Sequence, residues 1–147
     1  ARVGALQAPA GVARGQALGC RALASLCSGA DAAALARKQA AAHAGAFVAI
    51  VAAMRAHEGV VRVQEYGCLA LGHICWGLDA AALARKQAAT EAGALAAAVA
   101  AMRAHEGVEG VQTRGRLSLC IICEGSGARR AAARGAGAQG AWLDAGL

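Results

Sequence analysis

The stretch Asp79 to His105 reads DAAALARKQAATEAGALAAAVAAMRAH, and Asp31 to His57 reads DAAALARKQAAAHAGAFVAIVAAMRAH. A long string recurring at a fixed spacing is the mark of a repeat array, in which each unit buries its apolar face against the next. The offset also holds outside the copied text. Cys20 and Cys68, Cys27 and Cys75, and Gly67 and Gly115 are each 48 positions apart. The chain therefore divides, within one domain spanning 1–147, into a partial unit (1–28), two full units (29–76 and 77–124) and a partial, decaying unit (125–147).

Roughly a third of the residues are Ala, the best helix former, and the one Pro is Pro9. Period and composition together predict an all-α chain. The 58% hydrophobic content overstates the core, because Ala buries little area. With one Phe, one Tyr and two Trp, large anchors are few, so close helix packing and modest stability are expected.

The first helix is expected from Gln16 to Ser28, broken at Gly29-Ala30. Residues 1–10 look like the remnant of a unit, with Leu6 standing 48 before Met54. Asp31 has the chemistry of an N-cap, so a helix should run from there to about Ala44, stop at Gly45 and carry Arg37 and Lys38 outward. Ala46 to His57 should form the next, with Phe47, Ile50, Val51 and Met54 on a buried stripe. A long helix should span about Val60 to Trp76. One face holds Val60, Val63, Gly67, Cys68, Leu71, Ile74 and Cys75; another holds Tyr66, Leu69, His73 and Trp76. The same three elements recur at Asp79–Ala92, Ala94–His105 and Val108–Glu124. In the tail, Gly127, Gly135, Gly137 and Gly140 predict a poor, frayed helix, and Ala141-Trp142 is read as the counterpart of Ala46-Phe47.

Helix order, the AGA junction and the LALGHI string, which is similar to an ALWALSNIA pattern, make the units resemble armadillo repeats across nearly the whole chain, with HEAT repeats the nearest alternative. The family's unit is shorter, about 42 residues, and the extra length lies in the AAALARK segment. The resemblance implies a right-handed α-solenoid of about three repeats, whose long helices line a concave groove. Family Trp positions fall on Arg21, Leu69 and Leu117, and family Asn positions on Ser25, His73 and Ile121; none is Trp or Asn.

The stripe Tyr66, Leu69, His73, Trp76 is the first candidate contact surface, flanked by Arg21, Arg114 and Arg116, which would attract acidic groups. Arg37-Lys38 and Arg85-Lys86 recur and predict a solvated basic ridge. The net charge of +6 permits acidic proteins, nucleic acid or anionic lipid as partners without selecting one.

Within each pair, Cys20/Cys27 and Cys68/Cys75 lie two helical turns apart, about 10.5 Å along the axis, too far for a disulfide. They read as reduced core residues, which points to an intracellular setting. Cys120-Ile-Ile-Cys123 sits inside an apolar helix, with neither the ligand spacing of a zinc site nor the strand-to-helix setting of a redox motif. His57 and His105 are read as helix C-terminal residues suited to the dipole.

No catalytic set, cofactor motif, metal-ligand pattern or membrane span is legible. The chain is expected to be no enzyme, but a protein–protein interaction scaffold or a docked subunit of a multi-subunit complex. A nucleic-acid-binding helical solenoid using the Arg/Lys ridge is the alternative.

Overall fold

The computed structural model describes residues 10–144, and every regular element within them is helical. The α-helices are α1 (Ala10–Leu26), α2 (Ala32–His43), α3 (Ala46–Ala56), α4 (Val61–Cys75), α5 (Ala80–Glu91), α6 (Ala94–Ala104), α7 (Glu109–Cys123) and α8 (Gly127–Gly135). A single 3-10 turn follows at Ala141–Leu143. No single described helix is long and apolar enough to cross a membrane.

Helix ends follow local chemistry. The Ala34 amide donates to Asp31 Oδ1 at 2.8 Å, and the Ala82 amide to Asp79 Oδ1 at 2.9 Å. Each carboxylate thus satisfies one of the free donors of a first turn. At the other end, Gly45 and Gly93 adopt φ of 84° and 91°, a left-handed conformation that costs a residue with a Cβ. The chain bends by 67° between α2 and α3 at that glycine. Helix α4 stops because Trp76 takes an extended conformation, with φ −61° and ψ 135°.

Two expectations fail. Helix α1 starts at Ala10, not Gln16, and so includes Gly11 and Gly15. Burial of Ala13 and Ala17 accompanies this extension, and packing overrides the low propensity of Gly. The tail also forms a regular helix at Gly127–Gly135 despite its glycines. The Ser126 hydroxyl accepts from the Arg129 amide at 3.1 Å and starts α8. After α8, Gly137 has φ 111° and its amide donates to the Arg134 carbonyl, as the Gly45 amide donates to Ala42 and that of Gly93 to Thr90. Gly137-Ala138, not the residues before Ala141-Trp142, therefore occupies the Gly45-Ala46 position. The tail has lost four residues relative to the 48-residue spacing, since Gly137 lies 44 after Gly93. The remnant of residues 1–9 lies outside the described residues.

The long helices α1, α4 and α7 pack in succession, α4 lying between the other two. Helix α3 packs on α4 and α6 on α7, while α2 meets α5 and α3 meets α6. The core runs through α4, where Val63, Cys68, Leu71, Ile74 and Cys75 are fully enclosed. The expected buried face of α4 is thus observed, with Val60 only half-buried.

The cysteines are free, and Cys120 alone among them is half-buried rather than buried. Burial pushes the Cys68 and Cys75 thiols up to about 12 and Cys123 up to about 11. The thiolate is the reactive species, so these groups should resist a disulfide reagent such as Ellman's at pH 8. Cys120 should react first, and all six only after unfolding. The linkage has a definite sign. The folded-state values lie above the ordinary 9.0, so this contribution to stability is full below pH 9 and is lost as pH climbs toward 12. Rapid native labelling of Cys68 or Cys75 would contradict the packing.

Candidate functional site

Tyr66 lies near the middle of α4, on the face that joins the three long helices. The Arg21 guanidinium of α1 stands 5.8 Å from its ring centroid, and that of Arg114 on α7 stands 5.6 Å away. Both distances are in the range where a cation is attracted by the ring quadrupole, worth about 0.5–1 kcal/mol at an exposed site. Arg62, one turn before Tyr66, donates to its hydroxyl at 3.3 Å. Arg114 also pairs with Glu65 at 2.7 Å, and both side chains are partly screened from water. Gly110 makes room for that carboxylate: a Cβ there would stand 2.5 Å from Glu65 Oε1. Three arginines from three helices thus converge on one half-buried phenol, with one acid among them.

The remaining residues of the expected surface separate. Leu69 is half-buried beside Tyr66, while Leu117, its counterpart on α7, is 44% exposed. Ser25 and Arg116 are exposed. His73 is a structural tie instead of a free contact: its Nδ1 donates to the Ala24 carbonyl of α1 at 2.7 Å. Ile121 is half-buried and faces Gly72, 3.5 Å from where a Cβ would stand. Trp76 leaves the stripe. Its extended backbone carries the ring off α4, 48% exposed, to a separate hollow with Leu35 and Leu78. The Lys38 ammonium lies 5.9 Å from that ring.

The basic ridge is corrected outright. Lys38 is 1% exposed and Lys86 and Arg85 are buried; only Arg37 of the four is at the surface. Arg37, Lys38 and Arg85 are turned onto the carbonyl end of a long helix, and Lys86 onto a carboxylate beside one. Arg37 and Lys38 donate to the Leu26 and Cys27 carbonyls, and Lys38 also reaches His73 O at 2.8 Å. Arg85 donates to Ile74 O at 2.7 Å and Trp76 O at 3.3 Å. Lys86 Nζ stands 3.5 Å from Glu124, just past the end of α7. In the tail, Arg129 takes the same role, donating to Ile122 O at 2.6 Å. Positive charge at the C-terminal end of a helix meets its free carbonyls and negative dipole, worth about 0.3–1 kcal/mol and up to ~2 when partly buried. Burial holds the Lys38 ammonium below the ordinary lysine pKa, but its two carbonyl partners compensate the lost water.

Sequence reasoning passed over Gln64 and Gln112. Each amide nitrogen bridges two carbonyls where one apolar helix ends, Met54 and His57 in one case, Met102 and His105 in the other. Their 48-residue spacing, on a face otherwise apolar, was the available signal. The reading of the repeated histidines needs addition too. His57 is the buried C-cap of α3, whereas His105 also donates through Nε2 to Glu58 O at 2.7 Å, joining the two units. Among the described residues no group of three His, Cys, Asp or Glu side chains is placed to hold a metal ion.

No known protein-family model, curated protein or solved structure matches the chain.

Proposed function

We propose that this chain is a non-catalytic interaction module, a short armadillo-like α-solenoid that holds a partner protein on the face of its three long helices. The arrangement of Arg21, Tyr66 and Arg114 carries this reading. One residue from each long helix meets at a single partly open point, and Leu117 is exposed on the same helix as Arg114. The side-by-side order of α1, α4 and α7, and the pairing of α3 with α6 and α2 with α5, support the solenoid assignment. An amphipathic aromatic flanked by arginines is the residue combination that dominates binding energy at protein interfaces. The nucleic-acid alternative loses its motivation with the ridge, because three of its four cations serve helix ends inside the protein.

The test is affinity capture from a lysate of the source cells at low and high salt, followed by identification of the bound protein. Tyr66→Ala/Leu117→Glu should abolish capture of a discrete protein, while Trp76→Ala, in its separate hollow, should leave it unchanged. Equal capture by the wild type and the double variant would remove the long-helix face from consideration.

A further inference from the structure

The groove between α1 and α4 carries three arginines that pair with no acid among the described residues. It is open, about 540 Å³ in volume, and lies between Arg14, Leu18 and Arg21 on α1 and Val61, Arg62 and Tyr66 on α4. Arg14, Arg21 and Arg62 are exposed. Among the described residues, ion pairs are formed by Lys86, Arg114 and Arg134, and by none of these three. Residues 1–9 and 145–147 contain no Asp or Glu, so those segments hold no acidic side chain that would complete the set. Glu65, next to Tyr66 on α4, is already held by Arg114.

We infer that this groove binds an acidic, partly apolar peptide segment of the partner, with carboxylates on Arg14, Arg21 and Arg62 and an apolar side chain on Leu18 and Val61. This rests on the interaction-module reading and names the chemistry of its ligand. Two features select a peptide over nucleic acid. The floor of the groove is aliphatic, with Leu18 55% exposed and no second aromatic beside Tyr66. Both neighbouring guanidinium groups already lie against the Tyr66 ring, which is then not a free platform for a base. Guanidinium groups suit carboxylates because their paired N–H donors match the two oxygens, and such charge-assisted bonds are roughly twice as strong as neutral ones.

The test uses the whole chain and fluorescence anisotropy with a fluorescein-labelled peptide of repeated Glu-Leu-Ala triplets. Its Gln-Leu-Ala counterpart and a single-stranded oligonucleotide of equal charge are the comparison probes. The Glu peptide should bind at least about tenfold tighter than the Gln peptide near physiological salt, the scale of one good charge pair. Arg14→Gln/Arg21→Gln/Arg62→Gln should erase that difference. Circular dichroism should show an unchanged helical fold, since all three side chains are exposed. Equal binding of the two peptides, a difference that survives the triple substitution, or tighter binding of the oligonucleotide would each overturn the inference. The lysate capture separates the two claims. If the Glu peptide fails but Tyr66→Ala/Leu117→Glu still loses the captured protein, the ligand chemistry is wrong and the module reading stands.

Discussion

Leu71→Ala should cost about 2–5 kcal/mol, the range for truncating a fully buried leucine in a core that cannot close around the space. Leu71 is fully enclosed on α4, the helix that packs on both α1 and α7. Its core neighbours include many alanines and cysteines, which are too short to swing into a cavity. Domains of this size commonly hold about 5–15 kcal/mol in total, so the loss is a large fraction of the whole. Leu83→Ala is the control: that side chain is 44% exposed, and the change should stay within about 0.5 kcal/mol. Urea unfolding followed by far-ultraviolet circular dichroism measures both. A Leu71→Ala loss below about 1 kcal/mol would mean that α4 is not the centre of the fold.

Gly67→Ala should destabilise the protein by about 1–2 kcal/mol, the overpacking range less the gain in helix propensity. A Cβ on Gly67 would stand 2.7 Å from both Cγ and Sδ of Met54, a side chain with 2% exposure and little room to move. The corresponding residue of the first unit, Gly19, is exposed, and beyond its own stretch of helix backbone no described atom lies within 4 Å of the place its Cβ would take. Gly19→Ala should therefore stabilise by about 0.5–1 kcal/mol through helix propensity alone. The same denaturation experiment reads the pair. Equal signs for the two substitutions would show that Met54 does not seat against α4 as described.

Gly19 and Gly67 are equivalent letters in the repeat, and this marks where legibility ends. What residues within about four positions decide was readable. Asp31 and Asp79 cap the helices that follow them, Gly45 and Gly93 turn the chain, and Cys68, Leu71 and Cys75 face inward. Propensity, capping and the 3.6-residue period all act over that range. Most helix boundaries were accordingly readable to within one residue. The exceptions are α1, which ends two residues before Ser28 and whose early start shows packing outweighing Gly11 and Gly15, and the tail, where four missing residues hid the position of Gly137.

The candidate site was legible only as a set of residues. That Tyr66 meets Arg21, 45 positions before it, and Arg114, 48 after it, depends on how three helices pack. That His73 ties down α1 and Trp76 leaves the stripe is equally a matter of packing.

By itself the sequence determined an all-helical chain, the unit that recurs, the ends of most helices and the side of each that turns inward. Tertiary structure decided what Lys38, Arg85 and Lys86 do, which arginines remain for a ligand, and whether a repeated glycine has a neighbour. The reason is physical. Lys86 is drawn to the Glu124 carboxylate, but the acceptors that draw Lys38 and Arg85 inward are backbone carbonyls at helix ends. Every residue has a carbonyl, so the string of side chains carries no mark of which one will lie opposite a lysine. Only the stacking of one helix end above another supplies it.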